Sequence, residues 1–141
     1  MNELINLFGI REPYKGELAY FAQNPTVAGM ATEDNKIILN PYSKLSSEEL
    51  NSVAQNEALR LFMRTNNIVP EFSLTKEQKD FFKGTEYAKN EEEAKKSIVA
   101  RILTGDPSVQ TASKEQLDFA EMLKKMIPSI EYVNPMESSL D

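Results

Sequence analysis

The chemistry available to this sequence depends on carboxylate and guanidinium groups, because its 141 residues include no histidine and no cysteine. Thiol nucleophiles, disulfides and thiolate metal sites are therefore excluded. Histidine general bases and nearly all protein zinc sites are excluded as well. The 22 Asp and Glu residues could still support acid–base chemistry or bind Mg²⁺ or Ca²⁺ through oxygen atoms. We expect a non-enzymatic protein with no cofactor and no metal ion.

Glu57 is the ionisable residue whose position is most informative. A helix is predicted over residues 47–65, and at about 100° per residue Glu57 falls in the middle of its apolar stripe. A buried carboxylate is costly unless it is paired, so we predict a structural ion pair. The partner is Arg60, three residues along the same helix, or Arg101, at the edge of the apolar face of a later helix. Two alternatives stay open: an acid or metal ligand in a cleft, and a solvated side chain.

The order of elements around Glu57 resembles that of the zincin metalloproteases. In those enzymes a strand is followed by a helix with two histidines around a Glu-x-x unit, and the Glu acts as the base. Here Asn56 and Arg60 stand where the two histidines would be. The resemblance implies a metal-free pseudo-enzyme in which Arg60 replaces the charge of the metal. A chance match implies an ordinary helix.

Apolar side chains near both ends of the sequence are the predicted binding elements. Leu4, Leu7 and Phe8 lie in a predicted N-terminal arm over residues 1–16, and Tyr132 lies in an acidic tail over residues 128–141. We expect these side chains to lie outside a single globular domain over residues 17–127. Such an arm and tail would suit docking into a larger assembly.

These residues must be positioned by a mainly helical fold with a small β-hairpin (α+β). We predict about four to five helices around the central helix 47–65. Two short runs around a polar turn, residues 26–31 and 36–40, predict the hairpin. Capping signals mark most of the helices. Predicted starts are at Glu17, Ser46, Thr75, Asn90 and Ser113, and predicted stops at Gly9, Gly84, Gly105 and Pro128.

One string occurs at two of these helix starts. The letters KEQKDF at 76–81 and KEQLDF at 114–119 lie 38 positions apart in the sequence. A helical repeat would show such a period. Since the segments between the two copies do not match, shared capping chemistry is the better interpretation.

The acidic balance of the chain restricts its partners. The formal net charge is −6, so direct nucleic-acid binding is disfavoured. No stretch approaches the roughly 20 apolar residues that span a bilayer, and residues 1–8 do not resemble a signal peptide. We therefore expect no membrane partner.

Several strings together resemble a group of small uncharacterised proteins of tailed bacteriophages, especially phages of marine bacteria. The strings are NPTVAGMA at 24–31, ILNPYS at 38–43, NEALR at 56–60, FSLT at 72–75 and ARILTGDPS at 100–108. The resemblance covers about residues 20–120 and implies a phage setting, in the virion or the host cytoplasm, without an activity for any residue.

The leading interpretation is a non-enzymatic virion structural or assembly protein of the capsid, neck, tail or ejection apparatus, with other virion proteins as partners. The first alternative is an intracellular phage protein that binds and redirects a host enzyme. The second is the zincin-like pseudo-enzyme. The sequence does not give an oligomeric state.

Overall fold

The computed structural model describes residues 2–106 and 111–127, and these parts of the chain confirm a mainly α fold with a small β-hairpin. Six α-helices, one 3₁₀ helix and two strands occur in the described residues. In chain order they are α1 (Asn2–Phe8), α2 (Lys15–Gln23), β1 (Gly29–Ala31), β2 (Ile37–Leu39), α3 (Ser47–Thr65), α4 (Lys76–Phe82), the 3₁₀ helix (Glu86–Lys89), α5 (Glu91–Thr104) and α6 (Lys114–Met126).

The chain forms two compact units, residues 1–62 and residues 63–141. The first unit holds α1, α2, the hairpin and most of α3, and the second holds the end of α3, α4, the 3₁₀ helix, α5 and α6. The single domain over residues 17–127 and the arrangement of helices around α3 stay predictions.

The hairpin of the first unit is antiparallel, with Met30 opposite Ile38. Its β2 residues Ile37 and Ile38 have β-branched side chains, which favour a strand, and both are buried. Strand β1 approaches α3 closely at Gly29, where a Cβ atom would lie 2.8 Å from Cγ1 of Val53. A larger residue at this position would force Val53 or the strand to shift.

A third extended segment lies on the other edge of β2. The backbone N–H of Ile37 donates to the carbonyl of Gly9 (2.9 Å), and the N–H of Arg11 donates to the carbonyl of Ile37 (3.0 Å). Residue Ile10 thereby forms a parallel bridge with Ile37. These bonds tie the segment before α2 to the hairpin.

The predicted N-terminal arm is therefore partly a core element. Helix α1 ends at Gly9, which has a φ of 88°, as its sequence predicts. Leu4 and Phe8, however, are buried, while Leu7 is exposed. The interpretation of Leu4 and Phe8 as free docking side chains is wrong, because one face of α1 turns them inward. Tyr132 lies outside the described residues.

The capping signals place the helices of both units. Ser46 Oγ accepts from the N–H of Glu49 (3.2 Å), and the Glu49 carboxylate accepts from the N–H of Ser46 (3.0 Å). Helix α3 ends at Thr65, two residues before Asn67, whose φ is 54°. The next residue, Ile68, donates its backbone N–H back to the Met63 carbonyl (2.8 Å). Helix α3 therefore spans the range predicted for it.

In the second unit, α5 packs against α6. The side chain of Asn90 accepts from the N–H of Glu93 at the start of α5, and Gly105, in the left-handed conformation, ends it. The 3₁₀ helix before α5 was not predicted. Thr85 caps it by accepting from the N–H of Tyr87 (3.2 Å). Its sequence is too short for a periodic signal.

The two copies of the repeated string meet in this unit. Gln78 and Gln116 occupy the third position of α4 and α6, and each caps its own helix start through its amide oxygen. Their side chains also bond each other in both directions: Gln78 Nε2 donates to Gln116 Oε1 and Gln116 Nε2 donates to Gln78 Oε1, both at 2.7 Å. Both residues are buried, so this neutral amide pair joins the two helix starts inside the protein.

Candidate functional site

Glu57 is buried in α3 and paired with Arg60. The Arg60 Nη1 group donates to Glu57 Oε1 at 3.2 Å, and the two side chains are only 15% and 8% exposed. The helix provides this geometry because residues three apart lie on neighbouring positions of its surface. The structure thus shows the local ion pair that the apolar stripe predicts.

Arg101 lies in the second unit, at the last turn of α5. Its Nε group donates to the Ser97 hydroxyl (3.1 Å) and its Nη1 group to Asp106 Oδ2 (3.2 Å). The guanidinium carbon lies 5.1 Å from the centre of the Phe81 ring. A pair between Arg101 and Glu57 stays a prediction.

Arg11 is the centre of a polar cluster in the first unit. Its guanidinium donates to both oxygens of Glu17 (2.7 and 2.9 Å) and to both oxygens of Asp34 (each 3.2 Å). It also donates to the Glu12 carbonyl (3.1 Å), so all five N–H groups have an acceptor. The centre of the Tyr14 ring lies 3.8 Å from the guanidinium carbon of Arg11. The cluster ties α2 and the hairpin turn to the segment that pairs with β2.

The Arg11 guanidinium lowers the pKa of both carboxyl groups in this cluster. Hydrogen bonds from Arg11, and then from Thr32, lower the pKa of Asp34 from 3.8 to about 2. The pKa of Glu17 is also lowered, mainly by Arg11 and further by the N–H of Tyr14. The pKa of Arg11 is raised in return. All three groups are therefore charged at neutral pH, and the cluster is a structural link.

The sequence patterns did not predict a role for Arg11, although they predicted two of the elements that it contacts. The polar turn containing Asp34 and the helix start containing Glu17 were both readable. Nothing in the pattern of the chain indicated that one arginine would contact both. The useful signal would have been Glu17 at the third helical position, where a carboxylate caps the helix and attracts a nearby cation.

Three observations concern ligands and relatives. No group of three Asp or Glu residues that could hold a metal ion occurs in residues 2–106 and 111–127. No helix within these ranges has the length and apolar character needed to cross a membrane. Comparisons with protein-family models, with curated proteins and with solved structures found no match.

Glu57→Ala is expected to destabilise the protein strongly. The change leaves the mostly buried Arg60 without this carboxylate, a loss of roughly 3–5 kcal/mol in the free energy of unfolding. Glu57→Gln keeps the shape and should cost less. Chemical denaturation of both variants measures the effect. Glu48→Ala, at an exposed position of the same helix, is the control and should cost less than about 1 kcal/mol. Unchanged stability of Glu57→Ala would contradict a structural ion pair.

Asp34→Asn is expected to lower stability in a pH-dependent manner. The folded pKa of Asp34 lies below its unfolded value, so its contribution is complete above the unfolded pKa and disappears as the pH falls from 3.8 through about 2. The difference in unfolding free energy between the variant and the natural protein should therefore shrink toward zero over this range. Denaturation curves at several pH values measure this difference. A difference that stays constant from neutral pH to pH 2 would contradict a stabilising contribution from the charged form of Asp34.

Proposed function

We propose that this protein is a non-enzymatic structural or assembly protein of a bacteriophage virion, and that it works by binding other proteins. The observation that carries the proposal is the presence of three exposed apolar side chains within one short, fixed segment. Leu7, Ile10 and Tyr14 are 56%, 51% and 62% exposed. They fall within eight positions of the sequence, which we call the 7–14 segment.

The 7–14 segment is held in place by the fold that surrounds it. Its backbone bonds to β2 on both sides of Ile10, and the Arg11 side chain fixes it to α2 and to the turn at Asp34. Single exposed apolar residues are ordinary on protein surfaces, whereas several on one ordered segment favour an interface. A fixed segment loses little conformational entropy on binding, which favours affinity.

The phage setting of the proposal is supported by the resemblance of the sequence strings. Several of those residues form turns and contacts in the fold. Asn40 closes the hairpin, because its side-chain amide donates to the Val27 carbonyl (2.7 Å) and its oxygen accepts from the N–H of Tyr42 (2.8 Å). Gly29 allows the close approach of β1 to α3. These two residues of the strings therefore have structural roles in the fold.

One observation favours the zincin-like alternative. Arg60 stands at the sequence position of the second zincin histidine and its guanidinium contacts Glu57, as a group that replaces the charge of the metal would. A pseudo-enzyme of this kind would bind a peptide beside α3. The same contact is what an ordinary buried ion pair gives, so the virion role remains our proposal.

The virion role predicts that the protein is present in purified phage particles. Quantitative mass spectrometry of particles from a phage that encodes it should find the protein at a constant ratio to the capsid protein. A double change, Leu7→Asp with Ile10→Asp, should lower that ratio at least about tenfold, because charges at the interface disfavour docking. Leu117→Asp, at an exposed position of α6, is the matched control and should leave the ratio unchanged.

Both variants must first show the melting temperature of the natural protein, so that misfolding does not cause the loss. A protein abundant in infected cells but missing from the particles would contradict the virion role and favour the host-directed alternative.

A further inference from the structure

The backbone of Ile10 forms an outer edge of the small sheet in the first unit. The carbonyl of Gly9 and the N–H of Arg11 both bond Ile37, so these two groups point toward β2. Backbone groups of successive residues in an extended segment point to opposite sides. The N–H and the carbonyl of Ile10, which lies between them, therefore point away from β2. One residue thus presents one donor and one acceptor at the edge.

This edge is accessible and apolar. Ile10 is half exposed, and neither of its backbone groups has a hydrogen-bond partner among the described residues. Natural proteins protect an exposed edge with charged side chains, or they cover it. Here the exposed side chains beside the edge are those of Leu7, Ile10 and Tyr14, and none of them is charged. These features favour an edge that is covered by another chain.

The two backbone groups of Ile10 match those of a second Ile10. In an antiparallel strand pair, two residues that lie directly opposite each other exchange both N–H···O bonds. A second copy of the chain presents the same donor and the same acceptor on the same residue. Two copies related by a two-fold axis through this pair would therefore satisfy all four groups, as an isologous contact requires.

The residues on both sides of Ile10 fit this pairing. With the two Ile10 residues opposite each other, Arg11 of one copy lies opposite Gly9 of the other. Gly9 has no side chain, so the two Arg11 side chains do not face each other, and like charges directly opposite would be destabilising. Arg11 also keeps its own partners, Glu17 and Asp34. The pairing stays short because Pro13 has no N–H to donate.

We propose that the chain forms a two-fold symmetric dimer in which Ile10 pairs with Ile10 of a second copy. The hairpins of the two copies then belong to one continuous sheet, and the Ile10 side chains pack against each other on one face of it. The dimer gives the proposed function a first partner, a second copy of the chain. It rests on the proposed role of the 7–14 segment as an interface.

Sedimentation of the natural protein tests the dimer without any substitution. Velocity and equilibrium runs from about 10 µM to 1 mM cover the affinities that are realistic for a short strand pair with a small apolar contact. The weight-average mass should rise with concentration from that of one chain toward that of two. A mass that stays at one chain up to the highest concentration would overturn the proposal, and so would growth beyond two chains.

A single cysteine tests the position of the contact. The natural chain has no cysteine, so a one-cysteine variant can form a disulfide only with the same residue of a second copy. Opposite residues of a hydrogen-bonded antiparallel pair have Cα atoms about 5.5 Å apart, a distance that a disulfide spans. Under mild oxidation Ile10→Cys should therefore become a covalent dimer.

Tyr42→Cys is the matched control, because it replaces an equally exposed side chain (52%) of the same unit. It should form a disulfide at least about tenfold more slowly than Ile10→Cys, since proximity raises the effective concentration of the Ile10→Cys thiols alone. Equal rates for the two variants would overturn the pairing at Ile10.

The dimer and the virion role can fail separately. A protein that is monomeric in solution but present in particles, and lost from them by Leu7→Asp with Ile10→Asp, would overturn the dimer and leave the virion role standing. A dimer linked through Ile10→Cys by a protein that is missing from particles would support the dimer and contradict the virion role.

Discussion

Each helix start leaves backbone N–H groups without acceptors, and this protein meets that constraint with the side chain at the third helical position. Glu17, Glu49, Gln78 and Gln116 all accept from the N–H of their N-cap residue. Three of these side chains do a second task. Glu17 binds Arg11, and the two glutamines bind each other. Helix ends and tertiary contacts are therefore fixed by the same atoms.

The choice between amide and carboxylate at this position follows burial. Glu49 and Glu17 retain access to water, and Glu17 has a guanidinium beside it. Gln78 and Gln116 are buried, where an ionised carboxylate would lose much more solvation than an amide. Each amide oxygen accepts from its own N-cap N–H and from the opposite glutamine. A neutral pair thus satisfies the capping groups without adding a charge to the core.

Local sequence signals predicted most of the helix ends of this fold. Contacts between residues far apart in the sequence could not be predicted from such signals. The caps at Ser46, Thr75, Asn90 and Ser113 and the stop at Gly105 depend on residues within one turn, so the sequence reveals them. The contact between the two copies of the KEQ string depends on residues 38 apart, and the string itself indicated only shared capping. The Arg11 cluster was missed for the same reason, because it joins three separate segments.

Burial was predicted well for α3 and poorly for α1. A helix of 19 residues shows a clear apolar stripe, so the position of Glu57 implied its burial and its local partner Arg60. Helix α1 has seven residues, too few to show which apolar side chains turn inward. Leu4 and Phe8 were therefore mistaken for docking residues. Among Leu4, Leu7 and Phe8, only Leu7 is exposed, so a binding role stays a prediction for Leu7 alone.

The amide pair is tested most directly by Gln78→Glu, which keeps an oxygen to cap α4 but removes the N–H groups that bond Gln116. At neutral pH the variant should lose roughly 1–3 kcal/mol of unfolding free energy, the cost of leaving buried polar groups unsatisfied. Burial should raise the folded pKa of the introduced carboxyl above its unfolded value of about 4.3. The loss should therefore shrink as the pH falls to that value, where the protonated group can donate again. Glu49→Gln, a comparable change in the exposed capping box of α3, should show no such loss. Equal stability of Gln78→Glu and the natural protein at neutral pH would contradict the account.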